Sequence, residues 1–149
     1  MTEVLFYHLQ QQPLEKVLPI LLGKCLDRGW KVVVQAETPE RVRALDEALW
    51  TFSDDSFLPH GTEADGAPET QPILLTTEDG NPNAAEVRVL VEGAAAPDLA
   101  AYARALVLFD GSDDDALAKE RQRWKVLKEA GHAVTYWQQD DAGRWEKKA

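Results

Sequence analysis

Three histidines, one cysteine and a few clustered carboxylates are the residues of this chain with chemical potential. His8, His60 and His132 stand far apart, none four residues from another, and Cys25 is the single cysteine. Zinc sites built on one helix or loop need ligands a few residues apart, so no such spacing exists. Cys25 lies among apolar neighbours in "LLGKCL", where a small buried hydrophobe is expected; a nucleophilic thiol would need a base beside it and a lowered pKa. The carboxylates gather at Asp54-Asp55 and Asp113-Asp114-Asp115. The second run opens a helical pattern, where negative charge offsets the positive end of the macrodipole, so capping is its expected role. A phosphoacceptor domain would want acids at the end of the first strand, but that strand ends in His8 and Leu9. The first strand–helix junction, "YHLQQQPLEK", has no glycine, and neither a dinucleotide fingerprint nor a phosphate loop forms without one. Gly23-Lys24 falls inside a helix. No catalytic, metal or cofactor site is expected.

The elements that must position these residues are legible from periodicity and punctuation. "EVLFYHL" reads as a strand, and "PLEKVLPILLGKCLDRG" as an amphipathic helix opening near Pro13 and closing at Gly29. "WKVVVQA" suits a strand buried on both sides. "TPERVRALDEALW" begins with Thr38 as N-cap and Pro39 at the first helical position. "PILLTT", "EVRVLVEG" and "RALVLFDG" are three further strands, with a short helix expected in "APDLAAYA". A long helix, "DDDALAKERQRWKVLKEAG", runs to a glycine stop at Gly131. "HAVTYWQQD", a turn at "DAGR" and "WEKKA" close the chain as a strand or hairpin. Alternating strands and helices predict an α/β layer sandwich with a mostly parallel central sheet. At 149 residues, with no composition break, one domain over 1–149 is expected.

Composition narrows the partners. The net charge is −10, and an acidic surface repels nucleic-acid phosphates, so no direct nucleic-acid binding is expected. No run approaches the roughly 20 apolar residues of a membrane span. The N-terminus lacks the basic and small-residue features of a secretory signal. With a lone cysteine, these point to the cytoplasm.

Two stretches stand out as contact surfaces. After Trp50, the polar excursion "SDDSFLPHGTEADGAPETQ" carries five acids, no Lys or Arg, and the apolar group Phe57, Leu58 and Pro59. In the long helix, Lys119, Arg121, Arg123, Lys125 and Lys128 face one acid, Glu120, a reversal of the overall sign. Helical spacing puts Leu117, Arg121, Trp124 and Lys128 in one stripe, with Ala116, Leu127 and Ala130 on a neighbouring, sheet-facing side. Trp124 is then expected at the border of core and solvent. An aromatic wall flanked by cations can hold an aromatic side chain and a carboxylate together, as when a peptide's C-terminus is captured; a solvated basic face with a core tryptophan is the plainer alternative.

"LDEALWTFSDDSFLPHG", "LFDG", the "ER..WK.LK.AGH" helix and "YWQQ...GRW" together resemble the chi subunit family of bacterial DNA polymerase III holoenzyme. That resemblance implies a Rossmann-like α/β fold without a nucleotide-binding loop. It also implies a non-catalytic adaptor that joins psi, and through it the clamp loader, to the acidic C-terminal tail of single-stranded DNA-binding protein. Carried over by position, the psi surface comprises Trp50, Phe57, Leu58 and Pro59. The tail pocket comprises Arg121, Trp124, Lys125 and Lys128, with Phe109 near its apolar floor. The alternative is a small-ligand-binding or enzymatic Rossmann-like domain.

Overall fold

A computed structural model describes residues 2–10, 12–51, 58–95 and 97–149. The chain runs β1 (Glu3–Leu9), α1 (Leu14–Asp27), β2 (Val32–Gln35), α2 (Pro39–Thr51), β3 (Gly61–Thr62), β4 (Ile73–Thr76), β5 (Val87–Val91), β6 (Arg104–Asp110), α3 (Asp114–Glu129), β7 (Ala133–Gln139) and β8 (Trp145–Lys147). Eight strands form one sheet in the order β3-β4-β2-β5-β6-β1-β7-β8. Every pairing is parallel except the terminal hairpin β7–β8. The α/β, mostly parallel expectation holds.

Side-chain alternation along the strands builds two cores, one on each sheet face. Leu5, Tyr7 and Leu9 of β1 join Leu106 and Leu108 of β6 against α1 and α2. Val4 and Phe6 join Ala105, Val107 and Phe109 on the other face, against Leu117, Trp124 and Leu127 of α3. The central strands bury both faces, which is why they read as unbroken apolar runs. Helix α1 presents Leu14, Val17, Leu18, Leu21, Leu22 and Cys25 to the sheet at helical spacing. It starts at an extended Pro13 and continues through Pro19; burial of its apolar face outweighs the ~3 kcal/mol that an interior proline costs. At the start of α2, Thr38 Oγ1 accepts the Arg41 N–H at 3.2 Å, as its N-cap position predicts.

Two local expectations are corrected. "APDLAAYA" forms only a 3₁₀ turn over Leu99–Ala101, with Asp98 accepting the Ala100 N–H; too few residues separate β5 from β6 for a longer helix to dock. The polar excursion is not all loop, because Gly61–Thr62 adds a two-residue strand beside β4. A Cβ on Gly61 would sit 2.7 Å from the end of the Gln71 side chain, which would have to move aside. Arg88, a charge within the apolar β5, is completely buried. Its five N–H donors meet Gln35 Oε1 twice (3.1 and 2.5 Å), the Gly80 and Glu78 carbonyls (2.9 and 2.6 Å) and the Tyr102 hydroxyl (2.8 Å). Full satisfaction by neutral acceptors is what makes a buried guanidinium tolerable.

Candidate docking surfaces

Helix α3 is N-capped by Asp113, whose carboxylate accepts the Asp115 and Ala116 N–H groups at 3.0 and 3.2 Å. The acidic run thus caps a helix, as its position predicts. The helix lies over β6 and β7 with Leu117, Glu120, Arg123, Trp124 and Leu127 turned inward to differing depths, while Arg121, Lys125 and Lys128 are exposed. Of the predicted sheet-facing side, Leu127 packs and Ala116 is partly buried, whereas Ala130 is exposed; Leu117, Glu120 and Trp124 complete the packed stripe. The five basic residues divide accordingly. Lys119 Nζ donates to the Gly93 carbonyl at 2.6 Å and Arg123 Nη2 to the Ala94 carbonyl at 2.8 Å. Both are thereby tied to the segment after β5. Arg123 also pairs with Glu120 at 3.2 Å, a residue only 2% exposed whose carboxyl burial pushes above its usual range.

The Trp124 ring is half-buried and meets Phe6 and Tyr136 edge-on, at centroid distances of 5.6 and 6.0 Å. Lys128 Nζ stands 6.0 Å from its centroid, within cation–π reach. Tyr136 continues the aromatic cluster to His8 and Phe109, and its hydroxyl lies 2.6 Å from His8 Nδ1. Phe109 is buried at the C-terminal end of β6, edge-on to His8 at 5.5 Å. Burial chiefly pushes the His8 pKa down, and the Arg121 charge adds to that against a hydrogen bond to Gln10 and the Asp110 charge. Burial pushes the Tyr136 phenol up, and Arg121 opposes it. The structure therefore groups Trp124 and Phe109 through two residues that spacing along α3 could not reveal, His8 and Tyr136. The one available signal was the "LFDG" glycine: a Cβ on Gly111 would fall 1.9 Å from His8 Nε2.

The second surface lies at the end of α2. Trp50 is 53% exposed, and its ring packs at 4.5 Å on the His60 imidazole. His60 is pinned from behind: Nδ1 is 2.6 Å from the Leu58 carbonyl and Nε2 is 3.1 Å from Asp46 Oδ1. Leu58 is a core residue, 7% exposed and packed with α1 and α2, and Pro59 is half-buried. Phe57 lies outside the described residues. His60, read from sequence only as a loop residue, is the post on which Trp50 rests.

At the carboxyl ends of β1 and β6, where open α/β sheets bind nucleotides, there is a cleft of about 400 Å³. Its charged lining is Glu15, Glu92 and Asp110, a sign that repels phosphate. Hydrogen bonds from Ser112 hold the Asp110 carboxyl below its usual range. Among the described residues no three His, Cys, Asp or Glu side chains converge to hold a metal ion, and no helix is long and apolar enough to cross a membrane.

A mostly parallel eight-stranded sheet with helices on both faces defines an α/β sandwich, and it carries aromatic clusters around Trp124 and Trp50. The DNA polymerase III chi subunit family (HolC) matches residues 1–135, and this chain belongs to that family. A probable DNA polymerase III subunit chi of Rickettsia prowazekii (strain Madrid E) is 34% identical over 91 residues, covering 61% of this chain and 55% of the relative. The chain thus spans about half the length of that curated relative.

Proposed function

We propose that this chain is a non-catalytic adaptor of the bacterial replicase. It joins the clamp loader, through psi, to the acidic C-terminal tail of single-stranded DNA-binding protein. The observation that carries this reading is the exposed trio Arg121, Lys125 and Lys128 around a half-buried Trp124, on a molecule of net charge −10. Arginine can grip a terminal carboxylate through two parallel hydrogen bonds, and the Trp124–Tyr136–Phe109 cluster offers an aromatic bed beside it. Attraction between the acidic tail and these cations weakens as salt rises, whereas ring burial does not. For psi, the proposed contacts are Trp50 and Pro59, with Leu58 beneath them as packing; Phe57, assigned to the same surface by the resemblance, lies outside the described residues. A large flat ring that is half exposed makes a strong anchor once a partner excludes water.

The test is a titration of the full chain with an acidic peptide ending in phenylalanine with a free carboxylate. Micromolar binding, about −8 kcal/mol, is expected. Arg121→Ala or Trp124→Ala should weaken it by roughly 1–3 kcal/mol, and amidating the peptide terminus should weaken it as well. Undiminished affinity in both variants defeats the assigned pocket.

A further inference from the structure

The opposite face of the sheet carries a separate groove of about 370 Å³ between α1 and the strands β6, β1 and β7. Three of the five tryptophans of the chain, Trp30, Trp137 and Trp145, line it and are partly buried there. Neither contact surface assigned from the resemblance, around Trp50 or around Trp124, includes a residue of this groove.

The groove is polarised along β1. At one end the register places Glu3 beside Arg104, and the guanidinium groups of Arg104 and Arg28 each lie 5.1 Å from the Trp30 ring. Lys24 of α1 lines the same groove. Three cations therefore face one carboxylate, Glu3, which Arg104 already engages at 3.2 Å. At the other end Tyr7 stands beside Trp137 in register and meets Trp145 edge-on at 5.0 Å. Burial pushes the Tyr7 phenol up to about 12, leaving it a neutral donor at neutral pH. Between the ends, Leu5, Leu21 and Leu106 make an apolar floor.

We infer that this groove docks an extended acidic segment of a partner protein, with its carboxylates on Arg28, Arg104 and Lys24 and an apolar or aromatic side chain against Trp137 and Trp145. The span from Glu3 to Tyr7 is about 13 Å at the rise of a strand, the length of roughly four extended residues. Cationic side chains clustered on a molecule of net charge −10 select an anion of short reach. A nucleic-acid strand continues past the groove and meets the repulsion of the rest of the surface. A peptide with two or three carboxylates does not. This site lies across the sheet from Trp124 and is independent of the adaptor reading.

The probe is a fluorescein-labelled hexapeptide, three glutamates followed by leucine, phenylalanine and leucine, with both termini blocked so that no free carboxylate end is offered. Saturable binding to the full chain by fluorescence anisotropy is expected. Arg28→Glu should weaken it about tenfold, since it removes one charge contact and adds a repulsion. Trp145→Ala should weaken it by a similar factor, while Trp124→Ala should leave it unchanged. Arg28 is exposed, so its variant carries the test even if Trp145→Ala fails to fold. Binding that never saturates, indifference to Arg28→Glu, equal loss with Trp124→Ala, or tighter binding of labelled oligothymidylate than of the peptide would each overturn the inference.

Discussion

His8 Nδ1 and the Tyr136 hydroxyl, 128 residues apart in sequence, sit 2.6 Å from each other between parallel strands. That bond ties β1 to β7 directly under α3 and sets the ring against which Trp124 packs. Tyr136→Phe removes the hydroxyl and leaves a buried imidazole nitrogen unmet. Denaturant unfolding should show a loss of about 1–2 kcal/mol, and near-ultraviolet circular dichroism should report a change around Trp124.

The same histidine sets a pH dependence. Its folded pKa lies below its ordinary value of 6.5, mainly through burial, with Arg121 adding to the shift and Gln10 and Asp110 opposing it. The unfolded chain therefore binds the proton more readily. The stability contributed by neutral His8 is complete above about pH 6.5, falls as pH drops through that value, and levels off below the folded pKa. The stability difference between the wild type and His8→Leu should follow that course. A difference independent of pH between 7.5 and 5.5 would refute it.

Gly111 has no room for a side chain, because His8 Nε2 occupies the space of its Cβ. Gly111→Ala should destabilise by about 1–3 kcal/mol through overpacking. Adding His8→Ala should recover part of that loss, so the double-mutant cycle should show a coupling of at least about 0.5 kcal/mol. Simple additivity would mean that the two do not compete for the same space.

Arg88→Leu replaces a saturated guanidinium with an apolar chain and orphans the Gln35 amide oxygen, the Tyr102 hydroxyl and two carbonyls. A loss of about 3 kcal/mol in thermal or urea unfolding is expected. A neutral outcome would show that these groups find other partners.

Neighbouring residues of the second surface should part company. Leu58→Ala cuts into the core and should cost about 2–5 kcal/mol. Trp50→Ala, at a largely exposed site, should cost well under half of that. On the adaptor reading, only the Trp50 variant loses retention of psi in co-purification while staying folded.

Most of the framework was legible because apolar runs and turn residues carry it directly. The valines of β2, Thr38 and Pro39 before α2, and Gly131 after α3 each mark their element. The candidate sites were half legible. Trp124, Arg121 and Trp50 could be singled out by type and spacing. What sits under them could not, because His8, Tyr136 and His60 act through contacts that only the parallel register and the packing of α2 create. Glu120 was hidden for a related reason: a charge among cations on a helix looks solvated, whereas this one faces inward and pairs with Arg123. Leu58 belonged to an apolar cluster whose members face different ways, and no periodicity in so short a stretch distinguishes them.

The sheet ends on one side in β3, a strand of two residues, and on the other in β8, a strand of three. Neither margin offers the long open ladder on which a foreign chain could add itself by backbone pairing. On the adaptor reading, contacts are made by side chains rather than by strand addition, so a single substitution on one face should weaken one partner's grip and spare the other's.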